Sequence, residues 1–222
     1  MRILTNEQGT DAWEVARKGR ITASAIGKVL AGKGTKTRRE YMLELCMDLE
    51  GIADFRDSAI WFEKGRQYEA HARGWYNWER EQVTETGFVL HDEYNWLGAS
   101  PDGLVGADGC IEIKYRTFLH TYHDSNIKPI TRLYDCQMQT VMWVCNRQWC
   151  DYVNYWRSDD HEKEQGHIRR VVRDEAKIRE LEEAALIFWR DTLSLYRNRT
   201  GKEVFAFPFD NYKPPKEKTN GQ

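Results

Sequence analysis

Apolar positions recur at two different periods along the chain, and the change between them divides it. Up to about residue 80 the spacing is helical. Thr10, followed by Asp11 and Glu14, reads as the capped start of a first helix that Gly19 ends. Ile21-Thr22-Ala23-Ser24 leads into a second short helix stopping near Leu30, and Ala31 to Lys36, rich in glycine and lysine, reads as a flexible basic loop. Helices are then predicted from about Arg38 to Leu49 and from about Ile60 to Glu79, the second with Trp61, Tyr68, Ala72 and Trp75 at roughly helical spacing.

Beyond that point the period shortens to two. Val83 to Leu90 reads as a strand, and a second lies around Trp96 to Ala99. Asp102 to Val105 and Cys110 to Tyr115 form a hairpin across the turn Gly106-Ala107-Asp108-Gly109. A helix near Ile130–Val144 follows, then strands near Trp149–Trp156 and Ile168–Arg173. A long helix from about Asp174 to Arg197 carries Ile178, Leu181, Ala185, Ile187/Phe188 and Leu195 as its apolar stripe. The pattern predicts an α/β fold, a central mixed β-sheet flanked by helices. Residues 1–210 read as one domain and residues 211–222 as a polar tail.

Composition narrows the class. A chain of 222 residues with 41% hydrophobic and 31% charged positions can bury a sizeable core. No stretch approaches the roughly 18 apolar residues needed to span a bilayer. The N-terminal segment has no apolar core of signal-peptide type, so a cytoplasmic protein without a membrane partner is expected. The cysteines are Cys46, Cys110, Cys136, Cys145 and Cys150, an odd number with no Cys-x-x-Cys pair. That fits buried thiols better than a disulfide framework, a zinc knuckle or an iron–sulfur site.

A net charge of -2 speaks against nucleic acid only while the charges are summed. From Arg17 to Arg39 there are eight basic residues and no acid, whereas Glu40 to Glu112 holds sixteen acids against five bases. Such segregation suits a protein that grips a phosphate backbone at one place and gathers metal-binding carboxylates at another.

The most informative residues are Ser100-Pro101-Asp102-Gly103 and Glu112-Ile113-Lys114. Alternation on a strand sends Glu112 and Lys114 to one face and Ile111 and Ile113 to the core on the other. The hairpin can return Asp102 beside Glu112. Hard cations such as Mg²⁺ take carboxylate oxygens together with water and substrate phosphate, and a neighbouring ammonium can orient the attacking water or stabilise developing phosphoryl charge.

Pro101-Asp102 with Glu112-Ile113-Lys114 matches the signature of the PD-(D/E)XK nuclease superfamily, whose core is restriction-endonuclease-like. Further blocks narrow the resemblance. Asp11-Ala12-Trp13, Arg17 and Ile21-Thr22-Ala23-Ser24 resemble the opening motif of the phage-lambda-type exonucleases, the YqaJ-like viral recombinases. Lys64 to Glu69 is similar to their helical segment, and Tyr134, Gln137 and Gln139 with Met142-Trp143-Val144 to their later helix. These blocks agree in order over about residues 10–157.

The resemblance implies an enzyme that digests the 5′-ended strand of linear double-stranded DNA in the 5′→3′ direction and leaves a 3′ overhang for annealing-type recombination. It implies Mg²⁺, two ions per site, with Mn²⁺ as a substitute. Asp102, Glu112 and the Ile113 carbonyl would hold metal, Lys114 would position the water, Glu69 would serve the second ion, and Gln137 would support the site. Arg17 and Ser24, with Ser100, would bind the terminal 5′-phosphate. Separately from the resemblance, the flexible basic stretch from Lys33 to Arg39, with Lys33, Lys36 and Arg38, fits a loop that grips the duplex. A ring-shaped homotrimer and a phage-type single-strand annealing protein are the implied partners. Two other readings use the same residues: a restriction-like endonuclease, and a non-catalytic module that loads an annealing protein.

Overall fold

The protein is described by a computed structural model covering residues 1–52, 59–158, 160 and 162–213, and for residues 59–67 the backbone only. The side chain of Trp61, the side chains of Lys64 to Gln67 and the tail beyond residue 213 lie outside the described residues.

Elements follow in the order β1 (Arg2–Ile3), α1 (Asp11–Arg17), β2 (Ile21–Thr22), α2 (Ile26–Val29), α3 (Lys36–Leu49), α4 (Ala59–Glu79), β3 (Val83–Thr84) and β4 (Val89–Leu90). The second half continues with β5 (Leu97–Ala99), β6 (Gly103–Val105), β7 (Gly109–Arg116), α5 (Leu119–Ile127), α6 (Arg132–Cys145), β8 (Trp149–Arg157), β9 (Glu164–Val172) and α7 (Glu175–Thr200). Helices flank the strands, as the periodicity predicts.

The strands make two sheets among the described residues, not one. A four-stranded sheet runs β1-β4-β5-β2 and a five-stranded sheet runs β3-β6-β7-β8-β9. Within the second, β7 and β8 are parallel and the other neighbours antiparallel. The predicted strand from Val83 to Leu90 is therefore split, its first part pairing with β6 and its last with β1 and β5. The cause lies at Gly87. Its N–H donates to the Thr5 carbonyl at 3.2 Å, and the Phe88 N–H donates to Thr5 Oγ1 at 2.8 Å. A Cβ at residue 87 would stand 2.2 Å from that hydroxyl, so only glycine lets the N-terminal segment in.

The core forms on both sides of the five-stranded sheet. Ile111, Ile113, Val153 and Tyr155 pack one face against Ala72 and Tyr76 of α4. Elsewhere α6, buried along most of its length, packs with Ile21, Leu97, Phe188 and Trp189 in the larger cluster. Helix α7 starts at Asp174, whose carboxylate accepts from the N–H groups of Ala176 and Lys177, and ends at Gly201 with φ +70°. Its buried stripe is Ile178, Leu181, Ala185, Phe188, Trp189, Thr192 and Tyr196, so the half-buried Ile187 and Leu195 sit beside the seam. Helix α3 begins two residues earlier than predicted because Thr35 Oγ1 caps it, accepting from the Arg38 N–H at 3.4 Å. Helix α5 carries no readable stripe, since Tyr122 alone of its nine residues is buried. All five cysteines are free and buried.

Candidate active site

The hairpin of β6 and β7 builds the site. Its register pairs Gly103 with Ile111, which sets Asp102 across from Glu112. Asp102 Oδ2 accepts the Ile113 N–H at 2.6 Å. Glu112 is only 2% exposed, and its Oε1 accepts both the Lys114 ammonium at 2.5 Å and the Gln137 amide at 2.7 Å. Gln137 arrives from α6, which lies over the face of β7 opposite Ile111 and Ile113. Strand alternation thus accounts for the placement of Glu112 and Lys114, and helix packing for that of Gln137.

These groups line a cavity of about 270 Å³ that also receives Glu69, Arg17, Ser24 and Ser100. Nine of the sequence-predicted residues, from elements spread along most of the chain, therefore meet in one place. Burial, then the charges of Glu112 and Glu69, hold the Asp102 carboxyl well above the usual carboxylate range, against the lowering effect of the Ile113 N–H. Burial also raises Glu69, with Arg73 opposing and Glu112 adding to the rise. For Lys114, burial disfavours the ammonium, but the charge and hydrogen bond of Glu112, with Asp102 and Tyr134, together push the pKa up to about 12. Glu69 has Arg73 beside it, whereas Asp102 and Glu112 share the single ammonium of Lys114, so the place where these two carboxylates meet is short of positive charge.

That shortage fits a divalent cation. Asp102 Oδ1 and Glu112 Oε2 accept no hydrogen bond from the described residues, and the Ile113 backbone lines the same cavity. Among the described residues no three acidic, histidine or cysteine side chains form a complete cage. Mg²⁺ does not require one, because it keeps waters and takes substrate phosphate oxygens. Glu69 stands further back, 3.8 Å from Arg73, which is also 2.9 Å from Glu85 and 3.4 Å from the Asp102 carbonyl.

Arg17, which lines the same cavity, makes no ion pair among the described residues. Its guanidinium lies 4.2 Å over the Trp13 ring and 3.4 Å from Ser100 Oγ, which also accepts the Trp13 indole N–H at 2.9 Å. Burial lowers the Arg17 pKa, so the cavity holds a cation poor in water and lacking a carboxylate partner. Ser24 is exposed at the rim, 3.2 Å from the Thr22 hydroxyl.

The basic stretch does not act as a unit. Arg38 is 7% exposed, donates to the Val29 carbonyl at 2.7 Å, pairs with Asp191 at 2.9 Å and lies over the Phe188 ring. It is a core residue and cannot grip a duplex, which corrects the sequence expectation. Arg20 is likewise buried, donating to the Ala16 and Asn95 carbonyls. Lys33 and Lys36 are exposed, Lys36 within 3.6 Å of Glu40, and neither lines the cavity. Gln8 is a residue the sequence reading passes over: its amide donates to the Pro101 carbonyl at 2.9 Å and to the Thr86 carbonyl at 3.2 Å, tethering the turn before Asp102.

The sequence matches the YqaJ-like viral recombinase domain over residues 12–148. The chain belongs to this family. The matched span holds Arg17, Glu69, Asp102, Glu112, Lys114 and Gln137, so the YqaJ-like region contains the whole wall of predicted site residues, while α7 lies beyond it. This YqaJ-like protein is similar to the crystal structure of an alkaline exonuclease (LHK-Exo) from Laribacter hongkongensis, with 35% identity, a TM-score of 0.74, and coverage of 86% of this chain and 97% of that one. The structure of LHK-Exo in complex with dAMP gives 35% identity and a TM-score of 0.73 over the same shares. A phage-related exonuclease from Haemophilus somnus 129PT, at 16% identity, shares the fold, with a TM-score of 0.65 over 82% of this chain and 96% of that one. No curated protein matches the sequence. No helix among the described residues is long and apolar enough to cross a membrane.

Proposed function

We propose that this YqaJ-like protein is a Mg²⁺-dependent nuclease that digests the 5′-ended strand of linear double-stranded DNA 5′→3′ and leaves a 3′ overhang for annealing-type recombination. The observation that carries the reading is the meeting of two unlike sets of groups in one cavity: the carboxylates and ammonium of Asp102, Glu112 and Lys114, and Arg17 without a carboxylate partner among the described residues. The first set suits a scissile phosphodiester, the second a terminal phosphate. Family membership and the likeness to the alkaline exonuclease support the same class of activity.

In this reading Asp102, Glu112 and the Ile113 carbonyl hold the metal, with Glu69 the candidate for a second ion. The bound ion supplies a more acidic water and neutralises charge on the phosphoryl oxygens. Lys114, held by Glu112, orients the water and stabilises developing charge. Gln137 holds Glu112 in register with Lys114. Arg17 faces the terminal 5′-phosphate with Ser100, whose oxygen already accepts from Trp13 and is left with its own proton to donate. Ser24 supplies a second hydroxyl at the rim. Lys33 and Lys36 are candidates for contact with the duplex backbone.

Further parts of the proposal rest on the family alone: Mn²⁺ as a substitute, a ring-shaped homotrimer around the DNA, a phage-type annealing protein that receives the 3′ tail, and work in the cytoplasm of a bacterial host. Comparing linear with covalently closed circular duplex tests the central claim. Mg²⁺-dependent nucleotide release from the linear form alone, lost in Lys114→Ala, is the expected result. Cutting of the closed circle would identify an endonuclease, and no release in any metal would identify a loading module.

A further inference from the structure

Strand β7 does not end its chemistry at Lys114. Arg116 is the next residue on the same face, two positions further along and so about 6.6 Å away, on the order of one sugar–phosphate unit. The shared face is visible in Tyr134, whose ring lies 4.8 Å from the Lys114 ammonium and 6.0 Å from the Arg116 guanidinium. Arg116 has no ion-pair partner among the described residues. Its Nε donates to Asn154 Oδ1 at 2.6 Å and its Nη2 to the Tyr152 hydroxyl at 2.7 Å, both neutral oxygens. The Asn154 amide is itself fixed, donating to Asn126 Oδ1 at 2.6 Å and the Tyr122 carbonyl at 3.1 Å. A guanidinium clamped by neutral acceptors keeps its charge uncompensated, and its remaining N–H groups match a phosphate.

We propose that Arg116 binds the phosphodiester next to the scissile one, on its 3′ side, in the strand being digested. The direction follows from the roles in the nuclease reading. Arg17 is the partner of the 5′-terminal phosphate and Asp102, Glu112 and Lys114 serve the scissile one, so any further phosphate bound in the same strand lies to the 3′ side. A strand whose 5′ end meets Arg17 therefore reaches Arg116 in its 3′ direction. This inference rests on the nuclease reading above. It adds a positioning contact that would hold the scissile bond against Lys114 while the terminal phosphate is held at the other end.

The test uses single-turnover digestion by the full-length protein of 5′-phosphorylated duplexes, either unmodified or with one uncharged methylphosphonate at the linkage after the scissile one. In the wild type the neutral linkage is expected to slow digestion about tenfold, the loss of one charge-assisted contact. Arg116→Gln is expected to be about tenfold slower on unmodified DNA and no slower again on the methylphosphonate duplex, because both changes remove the same contact. Slowing factors that multiply, or a variant as fast as wild type, would overturn the proposal while leaving the nuclease reading intact. If the wild type cleaves no linear duplex, the nuclease reading fails and Arg116 loses its role with it. Should Arg116→Gln not fold, the wild type decides alone: no slowing at that linkage rejects the contact.

Discussion

Gln137 and Glu112, 25 positions apart, meet at 2.7 Å, and this hydrogen bond fastens α6 to the strand that carries the carboxylate and the lysine. The acceptor is the same Glu112 oxygen that takes the Lys114 ammonium. A donor on each side leaves that carboxylate little freedom to turn, which is what a metal ligand requires.

Gln137→Met keeps the volume and removes the donor. A lost hydrogen bond to a charged group corresponds to about 1.5–3 kcal/mol, or roughly ten- to a hundredfold. The expectation is a fall in kcat of that order with KM for duplex ends nearly unchanged, because Arg17 and Ser100 are untouched. Steady-state digestion at saturating Mg²⁺ measures both. A rise in KM alone would place Gln137 on the DNA and not on Glu112.

Asp102 is the residue on which metal removal should be read. Its carboxylate is unfavourable where it stands, because of burial and the charges of Glu112 and Glu69. Without metal, Asp102→Asn is expected to unfold at a higher temperature than wild type, since the amide oxygen can still accept the Ile113 N–H. With Mg²⁺ at a hundred times its Kd, wild type gains about 2.7 kcal/mol, roughly 5–10 °C for a chain of this size, and the variant gains little. Thermal unfolding with and without chelator checks both halves. An equal Mg²⁺ shift in the two proteins would remove Asp102 from the metal site.

Arg17 should discriminate the state of the DNA end. With its guanidinium facing the cavity beside Ser100, the wild type is expected to digest 5′-phosphorylated duplex faster than 5′-hydroxyl duplex. Arg17→Gln should lose that preference by about ten- to a hundredfold on the phosphorylated end and change little on the other. Rates on the two ends, measured side by side, decide it. Equal slowing on both would assign Arg17 to the fold.

The legibility of the site followed the range of its interactions. Glu112 and Lys114 could be read because alternation over three residues suffices to put them on one face, and Asp102 because a short hairpin returns it. The Gln8 tether could not, since its carbonyl partner at Pro101 is 93 positions away and no local pattern encodes that meeting. The division into two sheets was hidden for the same reason: it depends on Thr5 reaching Gly87, not on any break in the hydrophobicity of Val83 to Leu90. Arg38 looks solvated in a basic run because its acid partner, Asp191, lies 153 positions further along the chain.

Arg38 and Lys33 therefore make a paired prediction. Arg38→Met leaves the Val29 carbonyl and Asp191 without their donor. Breaking a fully buried pair costs about 3–5 kcal/mol, but Asp191 is a third exposed, so roughly 1–3 kcal/mol is expected, with Tm lower by about 2–4 °C per kcal/mol. The salt dependence of DNA binding should not change, because a guanidinium already paired in the core releases no counterion from the duplex. Lys33→Ala should do the reverse: no change in Tm, and a slope of log K against log salt shallower by about 0.9 if that lysine neutralises one phosphate. Thermal unfolding and a salt titration of binding, run on both variants, separate the two roles. A changed salt slope in Arg38→Met at unchanged Tm would return Arg38 to the DNA surface.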